Sequence, residues 1–480
     1  MEAKIDKGED TEQALYSFDE LLEDVGLGWY QARFYGCMCL LSFSEGSFLS
    51  VITMVNPILQ RQYGISDFQL NTMIALIFLG FNLGSVCSGR VSDLYGRKTP
   101  FFLAANLANL VGYVGMAFTE FWPMTLCRVL QATLVGFFGP LAYTLLAEIT
   151  PRTLRGRCMA ICSATLSLGQ LYGYLVGYVV LRNLEAGDWR LCLLLSNIPG
   201  TLALVMGYFY TDESARFLLL RGKGPEAYEI IEAMNRINGY PKFISVDSVH
   251  RSGLERWAAS LQLAEFGLCR LFQADFALIT ALIWLNWGVV SFIYYGIVVN
   301  LPTAIVRLAQ QRATLGEAGA LASNHSTLFL MLTSVSEILA GVLVSAVVEV
   351  RCLGRKNTIN WSLLLGACAC VLVFLVPSQL VLLASLAKFF ITVVLVLLYQ
   401  YTAELYPTML RSTGLGLANG LGRMSGVLMP VCYGLLAEQA LLSPYLLFGG
   451  MALLCFGLNW LFPHDTTGAD LDTLEAPKQE

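Results

Sequence analysis

Residues 146–156 read Leu-Ala-Glu-Ile-Thr-Pro-Arg-Thr-Leu-Arg-Gly, and residues 402–412 read Thr-Ala-Glu-Leu-Tyr-Pro-Thr-Met-Leu-Arg-Ser. Glu148, Pro151 and Arg155 match Glu404, Pro407 and Arg411 at an offset of 256 residues. A second pair, Gly96-Arg97-Lys98 and Gly354-Arg355-Lys356, repeats at an offset of 258. Two motifs at nearly one offset, each between apolar runs, indicate a duplicated chain whose halves run in the same direction. Parallel six-span repeats are a transporter architecture, with the solute site at the interface between the halves.

Composition agrees with that reading. Of 480 residues, 56% are hydrophobic and 14% charged, against about 25% charged in a soluble domain. A chain this apolar uses lipid as most of its solvent, which excludes a conventional soluble enzyme, a disordered protein and a disulfide scaffold. The 13 cysteines lie mostly in or beside apolar runs and read as small buried hydrophobes. A net charge of −5 argues against a nucleic-acid partner. The acidic segment ahead of the first apolar run (Glu9, Asp10, Glu12, Asp19, Glu20) is unlike a signal peptide, which starts basic.

A helix needs about 20 apolar residues to cross a bilayer. That window finds twelve spans: 33–55, 68–89, 99–118, 122–147, 158–181, 190–210, 275–299, 326–348, 358–376, 379–402, 412–437 and 443–462. The expected class is an all-α integral membrane protein of two six-helix bundles, 33–210 and 275–462. Residues 1–32 form an N-terminal segment, 211–274 a polar linker with short helices, and 463–480 a tail. The linker, Arg90/Arg97/Lys98, Arg152/Arg155/Arg157, Arg351/Arg355/Lys356 and both termini share one side. The excess of Lys and Arg makes that side cytoplasmic. Asn324-His325-Ser326 is then a glycosylation candidate on the outer side.

Five charges fall inside the spans: Glu45, Arg128, Glu337, Lys388 and Arg423. Such charges are costly in a bilayer and mark function or pairing. Glu45 and Arg128 are expected to be the coupling pair, Glu45 exchanging a proton for the arginine as its environment changes. A static ion pair, or direct contact of Glu45 with a cationic solute, are the competing roles. Lys388 either meets an anion or pairs with Glu337, and Arg423 is expected to pair with Glu404 or Glu337. Gln170, Asn286, Trp287, Tyr294, Tyr295, Glu337, Lys388 and Asn419 are the cavity candidates. Aromatic rings with a few amides suit a small, flat organic solute. Glu148, Arg155, Arg355, Glu404 and Arg411, with Asp93 and Arg97, read as a cytoplasmic gate of ion pairs that form and break. The three histidines, His250, His325 and His464, are far apart in loops. No nucleophile–base pair, phosphate-binding loop or metal-ligand pattern appears, so no enzyme, cofactor or metal is expected.

Gly89 to Lys98, Arg128 to Gln131 followed by Gly136 and Gly139, and Asp212 to Phe217 resemble motifs of the major facilitator superfamily. Phe18 to Arg33, Tyr294-Tyr295-Gly296 and Glu404 to Gly416 resemble the branch holding synaptic-vesicle-2-related proteins, bacterial niacin transporters and organic cation and anion transporters. The resemblance implies alternating access by a monomer in the lipid bilayer, with a small organic solute and a proton as partners. Three bases against two acids favour an organic anion or zwitterion such as nicotinate over a cation. A non-transporting receptor or vesicle protein on the same fold is the other class it admits. One departure stands out. Arg351 occupies the acidic position before Gly354, which puts the second copy of the superfamily's cytoplasmic latch in doubt while Asp93 keeps the first.

Overall fold

The computed structural model describes residues 18–182, 186–239, 254, 271–272, 274–314, 326–347, 354–406 and 408–462. Twelve long helices dominate it. The first six are α1 (Trp29–Tyr63), α2 (Asp67–Tyr95), α3 (Lys98–Ala117), α4 (Phe121–Ile149), α5 (Arg152–Val180) and α6 (Trp189–Tyr210). The last six are α7 (Ala274–Thr314), α8 (Ser326–Val347), α9 (Arg355–Leu375), α10 (Leu380–Leu405), α11 (Thr408–Gln439) and α12 (Ser443–Leu458). Each expected span falls on one of them. Ten helices are long and apolar enough to cross a membrane; α5, opening on Arg152, and α8 complete the set. Long α1 and α7 carry Pro57 and Pro302 inside them.

With an even number of spans, Trp29 and Phe462 lie at one end, here termed the terminal end; the α1–α2, α3–α4 and α5–α6 turns lie at the distal end. At the distal α5–α6 turn, Leu181 and Arg182 pair antiparallel with Gly187 and Ala186. Lipid is the outer solvent, so large apolar side chains such as Leu103, Val179, Val205 and Leu428 stay exposed, as membrane-facing helices require.

Helices within a half approach closely where side chains vanish. A Cβ on Gly46 of α1 would stand 1.9 Å from the Leu166 carbonyl oxygen of α5, and one on Gly169 would stand 1.9 Å from that of Phe43. Glycine at both positions lets the two backbones touch, the small-residue packing that holds helices together without a hydrophobic drive. Gly84 does the same for α2 against Thr133 of α4. The halves meet chiefly through α2 with α11, α5 with α8 and α1 with α7.

Asp212 to Phe217 forms a clasp at the terminal end. Ser214 Oγ accepts from Phe217 N (3.2 Å) and caps the short helix Ala215–Leu220, as N-terminal serines do. Asp212 accepts from the Tyr30 hydroxyl (3.0 Å), and Arg216 pairs with Asp19 of the helix Phe18–Val25 (2.8 Å). The segment ahead of α1 is thereby tied to the linker after α6.

Candidate functional site

The charges within the spans sort into three environments. Glu337 of α8 and Lys388 of α10 form an ion pair of 2.8 Å, each side chain 1% exposed. Lys388 also donates to Gln170 Oε1 of α5 (3.3 Å) and Thr333 Oγ1 (3.5 Å). Gln170 in turn donates to the Tyr294 hydroxyl of α7 (2.9 Å). One buried network thus joins four helices of both halves. Of the two roles open for Lys388, the structure shows the pairing with Glu337.

Glu45 has a different setting. A Cβ on Gly139 of α4 would stand 3.7 Å from Glu45 Oε2 and 3.7 Å from Arg423 Nη2. The carboxylate of α1 and the guanidinium of α11 therefore face each other across the gap above that glycine. Both are half-buried, and Arg423 is the cation acting on Glu45. Tyr143, Tyr295 and Tyr399 lie near enough to Arg423 to act on its charge. The Tyr295 ring lies 4.7 Å from Phe78 of α2, and Tyr399 4.5 Å from Trp287 at nearly right angles. Asn419, four residues before Arg423 on the same face of α11, is within hydrogen-bonding reach of Tyr399. The result is a ring of phenols and aromatic edges around one acid and one base, between the halves.

Arg128 does not join Glu45; no salt bridge between them occurs among the described residues. Gly139 is the α4 residue level with Glu45. Arg128 lies eleven residues earlier, roughly 16 Å along the helix at ~1.5 Å per residue, toward the distal end. Arg423 likewise faces Glu45 rather than Glu337. Asn286 departs from the cavity role: its amide donates to Leu282 O (2.8 Å) and Asn459 Oδ1 (2.7 Å), holding α7 to the end of α12. Trp287 is buried, its indole N–H donating to Thr402 Oγ1 (3.0 Å), and supports Tyr399 from behind. Tyr294 serves the buried network, while Tyr295 and Asn419 remain half-buried beside the charges. Tyr143, Gly139 and Arg423 were not among the cavity candidates. The Asn419-x-x-x-Arg423 spacing is the signal that marks one helix face for two of these polar groups.

At the terminal end, Arg97 Nε lies 3.7 Å from Glu148 Oε1, both side chains largely buried. The Arg97 guanidinium also covers the Phe217 ring at 4.9 Å. Glu213 accepts from the backbone N–H groups of Arg97 (2.8 Å) and Lys98 (3.1 Å). This part of the expected gate is built within the first half. Arg355 lines a separate small cavity with Ser362 and Phe390. The side chains of Asp93, Arg155, Glu404 and Arg411, and Asn324 as a whole, lie outside the described residues.

Contacts across the halves run from mid-depth to the distal end. Asn82 Nδ2 donates to Gly420 O (2.9 Å), Phe78 fills the space beside Gly426, Asn71 that beside Gly434, and Asp67 pairs with Arg307.

Two parallel bundles with charged and aromatic side chains where they meet define a solute transporter of the major facilitator fold. The chain belongs to the family described as sugar (and other) transporter, whose model matches residues 44–476. It is 28% identical to organic cation/carnitine transporter 7 of Arabidopsis thaliana, covering 97% of each chain. It is 26% identical to the niacin transporter NiaP of Acinetobacter baylyi, covering 95% of each. Among solved structures it resembles the proton:xylose symporter XylE bound to 6-bromo-6-deoxy-D-glucose. That match has a TM-score of 0.69 and 19% identity, and covers 92% of this chain and 98% of that one.

Proposed function

We propose that this protein moves a small organic anion or zwitterion of the nicotinate type across the membrane by alternating access, coupled to a proton. The observation that carries this reading is Glu45 facing Arg423 inside the tyrosine ring between the halves. While Glu45 is ionised, Arg423 has its counter-charge. Protonation of Glu45 releases the guanidinium to take a substrate carboxylate, a match that arginine makes in a planar, two-pronged way. The aromatic edges of Tyr295, Tyr399 and Phe78 suit a flat ring. One proton and one monoanion then cross together, so the loaded cavity is neutral when the halves rock. The similarity to a protein named as a niacin transporter supports the solute class. Both termini are cytoplasmic under the positive-inside rule.

A second reading is an organic cation as solute. It is supported by Glu45 as an acid in the cavity and by similarity to a protein named as an organic cation/carnitine transporter. Uptake into proteoliposomes distinguishes the two, using labelled nicotinate and one organic cation with and without an inward proton gradient. Gradient-stimulated nicotinate uptake is expected, and Glu45→Gln should lose the stimulation while keeping nicotinate exchange. Uptake indifferent to the gradient would make the protein a facilitator. Cation uptake abolished by Glu45→Gln would favour the second reading.

A further inference from the structure

Arg128 is the membrane charge that the proposed coupling leaves unused. It stands seven residues into α4, roughly 10 Å from the distal helix start at ~1.5 Å per residue. It is 4% exposed, and neither Nη1 nor Nη2 has a hydrogen-bond partner among the described residues. The Trp189 ring lies 5.8 Å from the guanidinium carbon, which stabilises a cation without neutralising it. Among the described residues, the titratable group that acts on Arg128 is the phenol of Tyr63. The Tyr63 hydroxyl is itself buried without a partner. So is Thr125 Oγ1, one turn earlier on α4, in a side chain 2% exposed.

Among the described residues, a buried cation and two buried hydroxyls thus lack partners, whereas polar groups in a bilayer interior are normally paired. The donor set has guanidinium N–H and O–H groups and no acid, which selects an anion. Arg128 also lines a small cavity with Phe48, Gly112, Gln131, Leu193 and Asn197. Gln131 Nε2 is already committed to Asn197 Oδ1 (3.4 Å). The free space there suits about one water-sized sphere, too little for an organic carboxylate. We propose that Arg128, Tyr63 and Thr125 form a binding site for a monatomic halide, chloride, in the distal part of the first half. The site is separate from the Glu45–Arg423 cavity and does not depend on the solute.

The test is thermal unfolding of the purified full-length protein in detergent, with potassium chloride exchanged for potassium gluconate at constant ionic strength. A saturable rise of several degrees with chloride is expected, reproduced by bromide. Arg423→Gln should retain the rise and Arg128→Met should lose it. Tyr63→Phe should shift the chloride midpoint upward by about tenfold, the effect of one hydrogen bond to a charged group. Crystals grown in bromide should show an anomalous peak beside the guanidinium, which keeps the proposal testable if Arg128→Met does not fold. An unfolding temperature indifferent to chloride would overturn it. So would a chloride response that survives Arg128→Met, or stabilisation by nicotinate alone through Arg128.

Discussion

Two acid–base pairs lie at mid-membrane, and they are built for different purposes. Glu337 and Lys388 touch at 2.8 Å, are shut off from solvent, and both belong to the second half. Gln170 and Thr333 occupy further donors of the lysine. Glu45 and Arg423 come from opposite halves, face each other across Gly139 without closing to a salt bridge, and are less completely buried than the Glu337–Lys388 pair. A contact pair whose lysine is held by two further partners keeps one geometry. A separated pair beside open space is free to exchange partners when one member is protonated or a solute arrives. On the proposed coupling, position relative to the seam between the halves, rather than depth in the bilayer, separates the fixed pair from the switching one.

The comparison breaks first if Lys388→Met is tolerated. Removing one partner leaves Glu337 charged and buried, and breaking such a pair costs about 3–5 kcal/mol. Chemical unfolding in detergent should record a loss of that order. The double variant Glu337→Met/Lys388→Met should recover most of it, because two apolar side chains of similar size restore a neutral interior. Arg423→Gln should behave in the opposite sense. The Glu45–Arg423 pair does not close to a salt bridge, so folding should change less than in Lys388→Met, whereas nicotinate uptake should fall by roughly 100-fold, about 2.7 kcal/mol in transition-state terms. Uptake near that of the unmodified protein would remove Arg423 from the site.

Much of this arrangement was legible in the residues. The repeated Glu-x-x-Pro-x-x-x-Arg motif and the apolar runs indicate twelve spans in two parallel halves, because burial in lipid writes helix length directly into composition. Depth was legible for the same reason: Glu45, Glu337, Lys388 and Arg423 all lie well inside their helices. Facing was not. Which side of α4 meets α1 depends on tilt and on the Gly46–Gly169 and Gly84–Thr133 approaches, and no single helix encodes these. Arg128 was therefore expected beside Glu45, although Gly139 is the residue at that level. Asn286 misled for a related reason. An amide in a span suggests a cavity, but its partner Asn459 lies at the far end of the chain, in a segment whose sequence gives no sign of the contact.

Gln170 sharpens the comparison, since it is the side chain by which the first half reaches the buried pair. Gln170→Leu removes hydrogen bonds to Lys388 and Tyr294 and should cost about 1–3 kcal/mol, part of it from leaving the Tyr294 hydroxyl without its donor. If the network also steadies the seam, the variant should show slower gradient-driven uptake with an unchanged half-saturating nicotinate concentration. A raised half-saturating concentration would instead place Gln170 against the solute.

The smallest effect is expected at the distal end, where Asp67 and Arg307 join the halves through side chains 45% and 36% exposed. Solvent screens such a pair, so Asp67→Asn should lower stability by no more than about 1 kcal/mol. The same energy matters more to a conformational equilibrium than to folding. The pair connects α2 of one half to α7 of the other, and the proposed alternating access would break it as the distal end opens. Losing up to 1 kcal/mol from that state alone shifts the ratio of closed to open forms by up to about fivefold. Spin labels placed across the distal end should therefore report a larger population at long distance in the variant. The Glu337–Lys388 pair lies within one half and moves with it, so labels on α8 and α10 should report the same distance in both proteins. A change there would mean that the second half deforms as it rocks, and the distinction between fixture and switch would fail.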